Sequence, residues 1–193
     1  LILTARTWKN DVHTKEIKGE GSIKPEKIFS LAPLLSILVF LAEAPVEIGL
    51  SLWLSTILSH SKGFSETLAN SMVVVYWSCV VIGRFGAGFI VSKIENRKLI
   101  SYVMCGALAG LLLLSFSGFY LSILAVIIIS LSMSYLYPAM MHETSKRFSK
   151  KISPQMVGAQ AAASLIGSTT LVPVWGMLIK YNINLIFLAL IIV

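Results

Sequence analysis

Two acidic residues stand alone in a long apolar stretch of the chain. Glu43 and Glu47 are the only charged residues between positions 30 and 59, and their i, i+4 spacing places them on one face of a helix. Neighbouring carboxylates resist ionising together, so at least one is expected to hold a proton near neutral pH. The pair therefore suits proton coupling or solute binding. The alternative is that one or both, Glu47 first, lie at the helix end in contact with water.

Polar and aromatic side chains recur in two further apolar stretches. Asn70, Tyr76 and Trp77 lie in one stretch, and Gln160 and Ser164 lie in another. Amide and hydroxyl groups with aromatic rings are what a polar organic solute needs for hydrogen bonds and stacking. The alternatives are packing between helices, which is equally favoured for Gln160, and anchoring of aromatic rings at a membrane interface.

The sequence shows no constellation typical of catalysis or metal binding. His13, His60 and His142 are scattered, and Cys79 and Cys105 lie far apart in apolar runs. No HExxH, GxSxG or phosphate-binding glycine loop is present. The sequence therefore predicts no enzyme activity, no cofactor and no metal.

The composition indicates an integral membrane protein. Of the 193 residues, 56% are hydrophobic and 13% are charged, and the mean hydropathy is +0.82. Soluble domains carry about 25% charged residues, so the excess apolar surface must face lipid. The net charge of +7 does not indicate a nucleic-acid partner, because the basic residues form short clusters between apolar stretches.

Apolar segments of about 20 residues can cross a bilayer as helices. Such spans are predicted at 30–59, 68–92, 99–116, 119–141 and 155–179, with a partial span at 183–193. Residues 99–141 carry no charge and exceed one span, so a turn is predicted within 115–118. The predicted fold is an all-α membrane bundle of six helices with the last truncated. Because the chain starts with Leu and ends in an apolar run, a fragment of a longer protein is expected.

The distribution of basic residues predicts the orientation. Alternating spans place residues 1–27, 93–98 and 142–154 on one side, together with thirteen of the sixteen Lys and Arg residues. The other side receives only Lys62 and Lys180, and Arg84 lies within a span. The positive-inside rule assigns the first side to the cytoplasm.

Small residues four positions apart predict close helix packing. Examples of such pairs are Gly83 and Ala87, Gly106 and Gly110, Gly158 and Ala162, and Ala163 and Gly167. Pro45, Pro138 and Pro173 lie within spans and are expected to bend them.

Three single residues near span ends carry predictions of their own. Arg84 is expected to extend toward water or to pair within the bundle. Glu143 is expected to be solvated beside the basic cluster, and Trp175 to lie at the membrane interface.

The segment from Gly83 to Lys98 resembles the second-half copy of the signature loop of the major facilitator superfamily, whose fuller form reads G-x-x-x-D-R-x-G-R-R. Gly88, Lys93 and Arg97 match its glycine and basic positions, whereas Ser92 and Glu95 stand where the family often has Asp and Gly. The run from Glu43 to Arg84 and the stretch 135–138 (Tyr-Leu-Tyr-Pro) resemble helices seven, eight and ten of fungal transporters of the fucose-permease-like, bypass-of-stop-codon type.

This resemblance implies that residues 28–193 form helices seven to twelve and that residues 1–27 are the cytoplasmic loop joining two halves. It implies a solute cavity between the halves and alternating access, with a small solute (by analogy a sugar), protons, the bilayer and an N-terminal six-helix half as partners. The signature and gating residues are Gly83, Arg84, Gly88, Lys93 and Arg97. The alternative is a six-helix oligomeric channel or exporter subunit, which a start codon just before Leu1 would favour.

Overall fold

The computed structural model describes residues 31–90, 95–182, 185 and 190. Within them the chain forms five long helices and no strand: α1 (Leu31–Lys62), α2 (Glu66–Ile90), α3 (Asn96–Phe116), α4 (Phe119–Arg147) and α5 (Ser153–Tyr181). Each helix is long and apolar enough to cross a membrane. The predicted connector at 1–27 and the signature residue Lys93 lie outside the described residues.

The all-helical prediction is confirmed, and the five helices overlap the five full-length predicted spans. Ser117 and Gly118 form the turn between α3 and α4, inside the predicted segment. α4 continues to Arg147 rather than ending at 141, because its polar last turns bond to neighbouring helices. Of the predicted span at 183–193, the described residues include only Leu185 and Leu190, and both are helical.

Large apolar side chains cover the outside of the bundle. Phe85, Phe89, Phe116 and Leu165 are each more than 60% exposed. Water-soluble proteins do not expose so many large apolar side chains, and helices satisfy their own backbone groups in lipid. The described helices therefore form a multi-pass membrane protein.

Small residues set the closest contacts between the helices. α1 packs mainly along α5, α3 along α4, and α2 against α4 and α1. Gly106 and Gly110 of α3 lie against Ser132 and Ile129 of α4. The prediction of close packing is confirmed for this pair. It is wrong for Gly158, because no described atom from elsewhere in the bundle lies within 4 Å of a Cβ atom added there.

A proline in α1 creates a further close contact. Pro45 has no N–H, so the carbonyl of Leu41 loses its intrahelical partner. This carbonyl lies directly against Gly167 of α5, at the place that a Cβ atom would occupy. Glycine is therefore required at position 167 for α1 and α5 to approach this closely.

Lys62 and an aromatic pair join α1 to the α3–α4 turn. Lys62 Nζ donates to the carbonyls of Ser115 and Ser117, both at 3.0 Å, where the last turn of α3 leaves acceptors unpaired. Nearby, Phe64 stacks on Phe119 with ring centroids 4.2 Å apart. We call the end of the bundle that holds the α3–α4 turn the turn end. We call the opposite end, which holds Asn96 and Lys150, the basic end.

The ring of Trp175 is buried between helices and is not exposed to a membrane interface. It is 3% exposed because Gly49 of α1 leaves space for its ring. The neighbouring Trp53 of α1 donates from Nε1 to the carbonyl of Val172 at 3.2 Å. Proximity to a helix end was thus a misleading signal, and both rings pack between α1 and α5.

Candidate solute and proton site

The two carboxylates of α1 are both buried. Glu43 is 8% exposed and Glu47 is 7% exposed, one helical turn apart. The alternative that Glu47 meets water at a helix end is therefore wrong. Pro45 lies between them, so the carboxylates sit where the backbone hydrogen bonding of α1 is interrupted.

Glu47 is held by two residues of α2. Arg84 Nη2 lies 3.2 Å from Glu47 Oε1, and the fully buried Tyr76 donates from its hydroxyl to the Glu47 carbonyl at 3.3 Å. The Arg84 side chain remains 49% exposed. Arg84 was predicted either to extend toward water or to pair within the bundle. The structure shows the pair, which compensates the charge of Glu47.

Glu43 has different surroundings. Both of its carboxylate oxygens are buried and have no hydrogen-bond partner among the described residues. Its side chain lines a cavity of about 490 Å³ between α1, α3, α4 and Leu190. Every other described lining residue is Leu, Val, Ala or Met, so Glu43 supplies the single ionisable group of the described lining.

Gln160 and Ser164 belong to a separate polar cluster nearer the basic end. Gln160 is fully buried, donates from its amide to Ser36 of α1, and accepts from Thr144 Oγ1 of α4 at 3.1 Å. Ser164 donates to the carbonyl of Phe40 at 3.3 Å. Because protein groups satisfy the Gln160 amide on both sides, the geometry favours the packing interpretation of this residue.

Two of the sequence candidates lie away from Glu43. Asn70 is exposed and accepts a hydrogen bond from Ser55 at 2.6 Å. Trp77 is 41% exposed on the outer face of α2, with its ring edge-on to Tyr76. The structure therefore brings together Glu43, Glu47, Tyr76 and Arg84, but not Asn70, Trp77, Gln160 or Ser164.

The signature segment takes part in helix contacts. Gly83 lies against Ser134 of α4, and Gly88 lies in the last turns of α2. Arg97 Nε donates to Glu143 Oε1 at 2.8 Å. The sequence prediction placed Glu143 in solvent and did not include this ion pair: the Glu143 side chain is 20% exposed, and Arg97 at the start of α3 reaches its carboxylate.

Sequence reasoning missed Asn96 and Tyr135, which complete this network. Asn96 Nδ2 donates to Glu143 Oε2 and to the Ala139 carbonyl, both at 3.1 Å, and Tyr135 donates to Asn96 Oδ1 at 2.8 Å. The available signal was an amide next to Arg97 at the start of a charge-free span. We call Asn96, Arg97, Tyr135 and Glu143 the basic-end network.

Long apolar helices around a buried carboxylate and a cavity are compatible with a membrane transport protein. Comparison with protein families agrees, since the model of the Major Facilitator Superfamily matches residues 33–193. The chain belongs to this superfamily, whose members are membrane transporters of small solutes rather than enzymes. Searches of curated proteins and of solved structures gave no match.

Proposed function

We propose that this chain serves in proton-coupled transport of a small solute by alternating access, as the second half of a twelve-helix transporter. In this proposal residues 28–193 form that half, and residues 1–27 form the cytoplasmic loop that precedes it. The observation that carries the proton coupling is the buried carboxyl group of Glu43, which lines a cavity and has no hydrogen-bond partner among the described residues.

The chemistry of this site follows from its surroundings. An uncompensated charge is costly in an apolar environment, so a carboxyl group there takes up a proton. A change in access that exposes Glu43 to water allows the proton to leave. Glu47 is less suited to this role, because Arg84 already compensates its charge at 3.2 Å.

We propose that the basic-end network is a gate on the cytoplasmic side. Its hydrogen bonds join the start of α3 to the last turns of α4. The resemblance of residues 83–98 to the signature loop supports a gating role for this end of the bundle. Rocking of one half against the other requires contacts that break and re-form. The 2.8 Å bond between Arg97 and Glu143 lies within one half, and the Arg97 side chain, which is 72% exposed, can exchange Glu143 for a group of the other half when the halves rock.

The resemblance to fucose-permease-like transporters supports a sugar as the solute. A sugar site needs several side chains that hydrogen-bond the hydroxyl groups, because unpaired buried hydroxyls are costly. The described lining of the cavity offers Glu43 alone. The proposed function is therefore the transport of a small solute.

Uptake into liposomes tests the proposal. Radiolabelled sugars, organic cations and organic anions are screened with the complete transporter under an imposed pH gradient. We expect one class to accumulate with the wild type and with Glu66→Gln, which alters an exposed carboxylate of α2, and accumulation to be lost in Glu43→Gln. Undiminished accumulation in Glu43→Gln contradicts proton coupling at this residue. The 193-residue chain alone is expected to give no uptake.

A further inference from the structure

We infer that the cavity beside Glu43 binds a bulky, lipophilic, monovalent organic cation, which takes the place of the proton on the Glu43 carboxyl group. The inference rests on the proposed function, because it assigns a solute class to the same site. It is carried by two independent features, the apolar cavity and the buried carboxyl group without a described partner.

The charge of the ligand follows from the charge of the site. A buried carboxylate without a partner is strongly destabilised, and a cation in contact with it removes that cost. An organic anion would be repelled by the carboxylate. A neutral polyol would bury hydroxyl groups that the apolar lining does not satisfy.

The apolar body of the ligand follows from the lining. The cavity volume of about 490 Å³ falls within the range of about 300–1,000 Å³ typical of pockets that hold drug-sized molecules. Met104, Met133 and Met140 line it together with leucines. Methionine side chains are flexible and polarisable, so they adapt to aromatic or aliphatic groups of different shape.

A single positive charge is favoured over two. Glu43 is the one carboxylate of the described lining, and the next carboxylate, Glu47, is engaged by Arg84 at 3.2 Å. A divalent metal ion would need several oxygen ligands, which leucine and methionine side chains do not provide. The site therefore suits a cation whose charge is dispersed over an apolar body.

Exchange of the cation for a proton keeps the charge of the cavity constant. The protonated carboxyl group releases its proton, and the resulting carboxylate pairs with the entering cation, so one positive charge replaces another. Among the described residues, the charged and titratable groups that interact with Glu43 are Glu47 on α1 and Arg84 and Tyr76 on α2. The lining residues that α3 and α4 contribute carry none.

Calorimetric titration of the purified 193-residue chain in dodecyl maltoside micelles tests the inference. The probes are tetraphenylphosphonium and tetraphenylborate, which have closely similar size and shape and opposite charge. We expect tetraphenylphosphonium to bind saturably and tetraphenylborate not to bind. Glu43→Gln should weaken cation binding about tenfold or more, because a buried charge partner is lost.

Two variants control for folding and for the micelle. Glu66→Gln removes an exposed carboxylate and should bind the cation as the wild type does. Ala107→Phe keeps Glu43 but fills the cavity that Ala107 lines, and it should abolish binding while the circular dichroism spectrum stays helical. Titrations in buffers with different heats of ionisation should show about one proton released per cation bound.

The inference is overturned if both probes bind alike, or if Glu43→Gln binds tetraphenylphosphonium as tightly as the wild type. Cation binding that releases no proton overturns the exchange. Proton-coupled uptake of another solute class that depends on Glu43, with no cation binding, overturns this inference and leaves the proposed function standing. Glu43-dependent cation binding without any proton-driven uptake has the opposite meaning, since it supports the site and contradicts the proposed function.

Discussion

Glu43 and Glu47 lie one helical turn apart, yet of these two only Glu47 forms an ion pair with a described residue. Arg84 and Tyr76 fix Glu47 from α2, whereas Glu43 faces a cavity lined by apolar side chains. Two residues of the same type on one helix face thus have different surroundings and different roles. Glu47 joins two helices, and Glu43 offers an unsatisfied group to a ligand or a proton.

Arg84→Ala should destabilise the bundle by leaving Glu47 buried and unpaired. We expect a loss of about 1 kcal/mol in the free energy of unfolding. This lies at the lower end of the range for an unsatisfied buried group, because Arg84 is half exposed to solvent and its pair is weakened accordingly. Unfolding in mixed micelles with increasing dodecyl sulfate measures the change.

The matched control for this pair is the double variant Arg84→Ala with Glu47→Gln. Removing the charge of Glu47 should recover most of the lost stability, since no buried carboxylate then lacks its partner. If the double variant is as unstable as the sum of the two single variants, the residues do not interact and the pairing is wrong.

The buried amide of Gln160 supports a second residue-scale prediction. Gln160→Ala removes the partner of both Ser36 and Thr144 and should lower the free energy of unfolding by about 1–3 kcal/mol. Gln155→Ala in the same helix changes an exposed residue and should have little effect. Equal thermal midpoints for the two variants in micelles would contradict the structural role given to Gln160.

At this scale the sequence predicted that the two carboxylates of α1 share a helix face, but not which groups they contact. The i, i+4 spacing alone places Glu43 and Glu47 on one face. Glu47 is paired because of Arg84, which lies 37 positions away from it in the chain. Glu43 is placed differently because it lines a cavity formed by three helices. A single sequence carries no direct signal for such distant contacts.

The helices themselves were the most predictable part of the structure, because crossing lipid requires long apolar segments. Their ends were harder to predict wherever polar residues continue a helix beyond the apolar segment. α4 extends to Arg147, and its Glu143 accepts hydrogen bonds from Asn96 and Arg97. Hydropathy does not report such bonds, and it therefore set the end of this helix too early.

The contact between α1 and α5 gives a prediction for a whole helix. Gly167→Ala places a methyl group where the Leu41 carbonyl lies, and backbone atoms cannot move aside as a flexible side chain can. We expect α1 and α5 to separate slightly, at a cost of about 1–3 kcal/mol in the free energy of unfolding.

Gly158→Ala is the matched control in the same helix. No described atom from elsewhere in the bundle lies within 4 Å of the added Cβ position, and alanine is a better helix former than glycine by about 1 kcal/mol. This variant should be neutral or more stable. If Gly167→Ala is equally well tolerated in dodecyl sulfate titrations, the close approach of Leu41 to Gly167 is not formed.

At the scale of the whole molecule, the two ends of the bundle differ in charge. Lys146, Arg147, Lys150 and Lys151 gather at the basic end beside the basic-end network, whereas Lys62 and Lys180 are the basic residues toward the other end. Lys62 is bound to the last carbonyls of α3. The charge asymmetry of the sequence therefore coincides with the two ends of the described helices, which is the condition under which the positive-inside rule applies.

Cysteine labelling in intact cells measures this orientation. In a background with Cys79 and Cys105 replaced by alanine, Gly118→Cys marks the α3–α4 turn and Lys150→Cys marks the α4–α5 turn. Both positions are exposed, and the backbone of Gly118 is in an extended conformation that cysteine adopts without strain. An impermeant maleimide should label Gly118→Cys from outside and Lys150→Cys only after permeabilisation. Because α4 alone lies between the two positions, labelling of both from one side would mean that α4 does not span the membrane, and reversed labelling would place the basic end outside.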